Sequence, residues 1–335
     1  GRITLDFRLQ GSPRSPVGSG SVELDGVSVS ARDVPIRAEE VTGRVDLVGD
    51  RFVLSALSGR LNGGKFSGAG QARLRDGKLA DVAITGQGEN VFLDYPTGLR
   101  TSSNLNLALR SGERGLVLSG QVAVRDGVFR DTLDLARTGG AVGAAMPVGA
   151  AHNTEPIALD IAIVTAEPVE MDNNIGKLAV GGNLRVRGTV DNPNVGGEIR
   201  VEEGGRIYFG DRRYDVERGS VRLDATNQAD PQISLVATTR ASNFDIRLHL
   251  SGSAKNLTTT FTSDPPLSKN DIISVLLTGR TVAENHGVDL RRLEAYSLLS
   301  GALNASLGGS IGRKLGVSQV SVHAPLPDAR GERER

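Results

Sequence analysis

Apolar and polar residues alternate with a period of two along most of this chain, and that pattern commits those stretches to half-buried β-strands. Ile157, Leu159, Ile161 and Ile163 put four aliphatic side chains on one face. Ile233, Leu235 and Ala237 repeat the pattern, as do Phe244, Ile246, Leu248 and Leu250, with Asp245, Arg247 and His249 pointing the other way. Leu116, Leu118, Val122 and Val124 continue it through Gly120, a candidate turn or bend. Turn residues interrupt the alternation every 8 to 12 residues or so, the spacing of a β-fold built from short strands.

The punctuation has its own chemistry. Asp25-Gly26, Asp76-Gly77 and Asp126-Gly127 each close an alternating run. Asp-Gly tolerates positive φ at both positions, so each pair is expected to make a hairpin turn. Glu203-Gly204-Gly205 and Arg218-Gly219 are looser versions. The repeat length varies, which predicts a meander of antiparallel hairpins rather than a strict solenoid.

Two regions depart from the alternation. Residues 138–155 are rich in Gly, Ala and Pro without periodicity and read as a flexible loop. After Pro265-Pro266 the period becomes helical: Ser268 is a candidate N-cap with Asp271 three residues on, followed by Ile272, Ile273, Leu276 and Leu277. A second helix is expected over Leu293, Tyr296, Leu299, Leu303, Leu307, Ile311 and Leu315, capping one end of the β-structure, and residues 324–335 read as a disordered charged tail.

Composition removes several function classes. Lys+Arg and Asp+Glu are both 39, so the formal net charge is zero and no basic face for nucleic acid is implied. With no cysteine there is no disulfide scaffold, thiol nucleophile or cysteine metal site. No apolar run reaches the 18 or so residues of a membrane-spanning helix. Strand-like pattern begins at once, so any targeting segment is expected upstream. Glycine, 43 of 335 residues, is well above the usual share of about 7%, and aromatics are only 4%.

A long sheet with one aliphatic face must cover that face by closing into a barrel, packing on a second sheet or holding an apolar ligand. About fifteen strands at 4.8 Å spacing would extend roughly 70 Å. Two acyl chains of about fifteen carbons would gain on the order of 20 kcal/mol from such a surface relative to water. Periodicity alone ranks a sandwich or barrel core slightly ahead of a groove.

A family resemblance changes that ranking. Gly204-Gly205-Arg206-Ile207-Tyr208-Phe209-Gly210, then Tyr214-Asp215-Val216-Glu217-Arg218-Gly219-Ser220-Val221, resembles the signature near the C-terminus of the TamB family. Asp230-Pro231-Gln232-Ile233, Ile246 through Gly252, Thr262 through Ser268 and Asp271 through Arg280 follow in the family's order. Asp172-Asn173-Asn174 with Leu184 through Thr189, and more loosely Asp94 through Arg100, fit the same pattern. After Gly316-Val317-Ser318-Gln319-Val320 the family continues with further strands, whereas here Pro325-Leu326-Pro327-Asp328 and a charged tail follow.

The resemblance implies an inner-membrane-anchored periplasmic protein, related to AsmA-like proteins, whose anchor is N-terminal and absent from this chain. It implies an elongated antiparallel β-sheet curled into an open hydrophobic groove (a β-taco), with a short α-helical segment near the C-terminus. Phospholipid is the implied cargo, carried toward the outer membrane, and a TamA/BamA-type outer-membrane barrel is the implied protein partner. No catalytic residue and no cofactor come with the family.

Sharper motifs have plainer explanations. Gly308-Gly309-Ser310-Ile311-Gly312 spells a nucleophile elbow, but Ser310 lies in a helical pattern and His323 precedes Asp328, the wrong order for a hydrolase triad. His152, His249, His286 and His323 lack metal-ligand spacing. Asp172, Asn174 and Gly176 faintly echo a calcium loop and read better as a turn.

The resulting expectation is a mainly β chain divided into groove segments 1–137 and 156–265, the loop 138–155, a helical segment 266–323 and the tail 324–335. Its lipid-facing residues would be Ile161, Ile163, Leu184, Val186, Ile207, Phe209, Val221, Leu223, Ile233, Leu235, Phe244, Ile246, Leu248 and Leu250. The alternatives are an assembly scaffold or chaperone offering a β-edge to outer-membrane protein clients, and a cell-surface structural β-protein. An outer-membrane barrel would need aromatic girdles that 4% aromatics do not supply.

Overall fold

A computed structural model describes residues 1–12, 15–30, 36–75, 78–94, 98–113, 115–131, 156–209, 212–227 and 230–284. The loop 138–155, the second helix from Leu293 to Leu315, the Ser310 motif and the tail lie outside the described residues.

Eight strands come first: β1 (Arg2–Ser12), β2 (Ser15–Ser30), β3 (Arg37–Val48), β4 (Arg51–Leu61), β5 (Gly64–Arg75), β6 (Lys78–Asp94), β7 (Leu99–Gly112) and β8 (Gly115–Phe129). Each pairs antiparallel with the next. Then come β9 (Ala158–Thr165), β10 (Val169–Asp172), β11 (Gly176–Thr189), β12 (Pro193–Val201), β13 (Arg206–Phe209), β14 (Arg212–Leu223), β15 (Gln232–Ala241), β16 (Phe244–Ser253) and β17 (Asn256–Asp264). All seventeen belong to one sheet. The mainly β, single-sheet architecture is therefore the observed one.

The meander has one joint that alternation does not predict. β9 and β10 follow one another along the same side of β8 and run parallel to it, with Gly120 opposite Ile161 and Phe129 opposite Met171. Both then pair antiparallel with β11. A hairpin cannot make a parallel step; a long connection can, and the aperiodic stretch between Phe129 and Ala158 supplies it. β12 and β13 likewise share the place between β11 and β14, so the seventeen strands fill fifteen positions.

Two expected hairpin turns are corrected. Asp25-Gly26 lies inside β2, where the pairing skips from Leu24 to Val27 and Gly26 has φ +61°. Asp126-Gly127 lies inside β8, beside a similar register break. Both lie at bulges in continuous strands; at Gly26 the left-handed backbone suits a bulge as well as a turn. Gly120 and Gly219 also sit within strands rather than at turns. Asp76-Gly77 lies outside the described residues, between Arg75 and Lys78, which pair with each other. Further breaks occur at Glu39/Thr42 in β3, Leu54/Leu57 in β4, Gly88/Val91 in β6 and Val216/Arg218 in β14. Bulges bend and coil strands, which is how one sheet curls.

Helix α1 (Lys269–Thr278) has Ser268 at its N-cap, with the Asp271 amide donating to Ser268 Oγ at 3.2 Å and Ser268 Oγ donating to Asp271 Oδ2 at 2.6 Å. Gly279 ends it with φ +79°. Ile272 and Val275 bury against Ala241 and Ile246, flanked by Phe244 and Phe261. This cluster is continuous, through Phe261 and Leu276, with a second cluster of Leu178, Ile207, Tyr214, Val216, Ala237 and Leu248.

Candidate functional site

Cross-strand partners point to the same side of a sheet, so the pairing register fixes which residues share a face. One rung runs Val122, Ile163, Leu184, Gly197, Leu223 across β8, β9, β11, β12 and β14. The next runs from Ile199 through Val221, Ile233 and Gly252 to Leu257. On the other side of the joint the same face carries Leu105, Leu107 and Leu109 of β7 and Ile84 of β6. It continues through Leu54 and Phe52 of β4 and Val45 and Leu47 of β3, to Val22 of β2 and Leu5 of β1. One apolar face thus extends over all fifteen strand positions. At 4.8 Å per position that is on the order of 70 Å.

The other face is charged. Arg185 donates to Asp160 through Nε at 2.6 Å and Nη2 at 2.7 Å, and Arg187 stands 3.8 Å from the same carboxylate. The Arg185 fork holds the Asp160 carboxyl below the usual carboxylate range. Arg247 pairs with Glu217 at 2.9 Å, Arg200 with Glu198 at 3.2 Å and Arg44 with Asp46 at 2.7 Å. Exposed pairs of this kind contribute roughly 0–1 kcal/mol each. Their greater effect is on register, because a one-residue slip would turn every arginine onto the apolar face.

The fourteen residues anticipated as lipid-facing fall into three groups. Ile161, Ile163, Leu184, Val186, Val221, Ile233, Leu235, Phe244 and Leu250 are half-buried on the apolar face. Ile207, Leu223, Ile246 and Leu248 are buried, Ile246 directly under α1 and Ile207 and Leu248 in the adjoining cluster. Phe209 ends β13, its backbone paired with Arg212. Sequence reasoning did not include the β1–β7 part of the face. There Ile3, Leu5 and Phe7 are 56%, 64% and 52% exposed, and the alternation of β1 was the available signal.

Other candidates resolve simply. Asp172–Gly176 forms the turn between β10 and β11, with the Ile175 amide donating to Asn173 Oδ1 at 3.0 Å. His249 sits half-buried in β16, opposite Val236 and Thr260. Among the described residues, no group of three or more His, Cys, Asp or Glu could hold a metal ion, and no helix is long and apolar enough to cross a membrane.

A single sheet with one apolar face, one face of ion pairs and a helix packed over one end defines a class of elongated β-proteins built around a one-sided apolar surface. A family model described as the TamB C-terminal domain matches residues 55–335, from within β4 to the last residue. The chain belongs to the TamB family of envelope proteins.

Proposed function

We propose that the chain is a non-catalytic periplasmic conduit that shields phospholipid acyl chains between the inner and outer membranes, in a full-length protein anchored in the inner membrane. The observation that carries this is the continuous apolar face, whose side chains are mostly half-buried rather than sealed in a core. A sandwich of this size would bury most of that face, whereas the buried apolar residues here gather chiefly near α1. Each methylene moved from water onto the face gains about 0.8 kcal/mol, so an acyl chain is held by many small, non-directional contacts along which it can slide. Direction must come from elsewhere, since such a surface favours neither end.

The test is mass spectrometry of lipid extracted from the purified chain. Near-stoichiometric phospholipid that disappears in a folded Ile161→Asp variant supports the conduit. A folded parent that comes out dry overturns it. Ile246→Asp serves as the contrast: it lies under α1 and is expected to unfold that end rather than empty the face selectively.

A second reading has its own observation. Among the described residues, β1 pairs only with β2 and β17 only with β16. Such edges could template strands of outer-membrane protein clients, with or without a TamA/BamA-type barrel. Client crosslinks at β17 without lipid on the apolar face favour this reading.

A further inference from the structure

Many arginines on the charged face lie beside carboxylates, but at one place among the described residues two arginines face each other. Arg51 of β4 lies directly opposite Arg73 of β5. Directly opposed like charges destabilise a strand pair. Arg75, two residues beyond Arg73, donates to Asp81 Oδ2 at 2.7 Å, and Arg73 reaches the same oxygen only at 3.9 Å. Arg51 makes no ion pair or side-chain hydrogen bond among the described residues. Neighbouring Asp50 enters no ion pair there either; its carbonyl accepts the Leu74 amide at 2.7 Å. Asp81 therefore serves two of the three guanidinium groups, and Arg51 is left without a carboxylate among the described residues.

Arg51, Arg73 and Asp81 border a hollow, with Arg75 just outside it on Asp81. Arg51, Gln71, Ala72, Arg73 and Asp81 line a recess of about 240 Å³. Asp81 is held in the left-handed region, φ +48°, at a register break of β6, so it is presented by a bulge rather than by a regular strand position. Ala72 is 7% exposed and pairs with Phe52, so its side chain belongs to the apolar face, on the other side of the sheet from Arg51 and Arg73. The recess lies on the charged face, near the rim where β4 begins and β5 ends.

We propose that Arg51, Arg73 and Arg75 form a binding site for a phosphate group. A carboxylate satisfies one fork, as Asp160 does for Arg185, whereas a tetrahedral phosphate has oxygens enough for several guanidinium groups approaching from different sides. It would also relieve the Arg51–Arg73 repulsion. The phosphate could belong to a phospholipid whose acyl chains pass around the nearby rim to the apolar face, or it could be free. The lipid form rests on the conduit reading; the anion site does not.

The experiment titrates the full chain with inorganic phosphate, with deacylated glycerophosphoglycerol, and with dihexanoyl phosphatidylglycerol below its micelle concentration. Binding of at least one of these is expected, about tenfold weaker in Arg51→Gln and in Arg73→Gln. Asp81→Asn, whose side chain tolerates the same left-handed backbone, is expected to bind several-fold more tightly because the competing carboxylate is gone. Arg51 has no side-chain partner to lose among the described residues, so Arg51→Gln should fold as the parent does. Dihexanoyl lipid and deacylated head group binding where inorganic phosphate does not would identify a lipid head group. Inorganic phosphate binding as tightly as either would identify free phosphate. The site is overturned if none of the three binds, or if Arg51→Gln and Arg73→Gln bind as the parent. Lipid that binds both arginine variants normally but is lost in Ile161→Asp removes this site and leaves the conduit standing.

Discussion

Arg212, the first residue of β14, donates its guanidinium to the carbonyl oxygens of Leu276 and Val275 at the end of α1. The contact ties the sheet to the helix at the negative end of its dipole, where a cation is favoured. Arg212→Ala is expected to loosen α1 locally while the sheet stays intact. The loss of charged hydrogen bonds is about 1.5–3 kcal/mol. Hydrogen exchange should show lower protection of the Ile272–Leu276 amides with little change in β9 or β11; uniform protection throughout would mean the contact contributes nothing.

Tyr214, the neighbour two residues along β14, gives a pH signature. It is 1% exposed, and burial pushes its phenol up to about 12 despite the opposing charge of Arg212. The neutral form is favoured in the folded state, so this contribution is complete below the unfolded value near 10 and is lost as pH rises from about 10 to about 12. Stability should therefore fall by up to about 3 kcal/mol across that window. Denaturant midpoints measured from pH 9 to 12 test this, and the slope should flatten in Tyr214→Phe.

Ser103 is buried on the apolar face between Val91 and Val124, and its hydroxyl has no hydrogen-bond partner among the described residues. Burying an unsatisfied hydroxyl costs about 1–3 kcal/mol. Ser103→Ala should stabilise the protein by roughly 1 kcal/mol, read as a rise in the thermal midpoint. A drop would show that the hydroxyl has a partner in solution.

Gly86 offers a way to fill the face without breaking the fold. It lies in the rung between Gly68 and Leu107, and a side-chain carbon there would meet nothing closer than the Ser67 carbonyl at 3.8 Å. Glycine is unfavourable inside a strand by about 0.5–1 kcal/mol, so Gly86→Leu should fold at least as stably as the parent. If the face carries lipid, the variant should co-purify with less of it. Unchanged lipid content would place the cargo elsewhere.

The strand content and the two faces were legible because period two is a property of each strand alone: Leu159, Ile161 and Ile163 share a side whatever their neighbours. The Ser268 cap with Asp271 was legible for the same reason, since its hydrogen bonds close within three residues. The fates of Asp25-Gly26 and Asp126-Gly127 were not, because the same Asp-Gly pair serves a turn or a bulge and only the partner strand decides. Nor could alternation reveal the parallel step between β8 and β9. The recess was invisible as well: Arg51 and Arg73 belong to different runs, with no basic cluster between them, and only the β4–β5 register makes them opposite one another.

The parallel step also settles a question of parity. In an uninterrupted antiparallel meander, odd-numbered positions all run the same way, so the fifteenth strand would finish at the rim opposite the one where the first began. Two consecutive positions running in the same direction, β8 and then β9 with β10, shift the count by one. β17 accordingly ends, at Asp264 opposite Asp245, on the rim from which β1 starts. That rim is also where Ile246 and Ala241 wait for Ile272 and Val275. Replace the long crossover by a hairpin, and β17, the helix and its seat on β15 and β16 would all finish at the far rim, away from the start of β1.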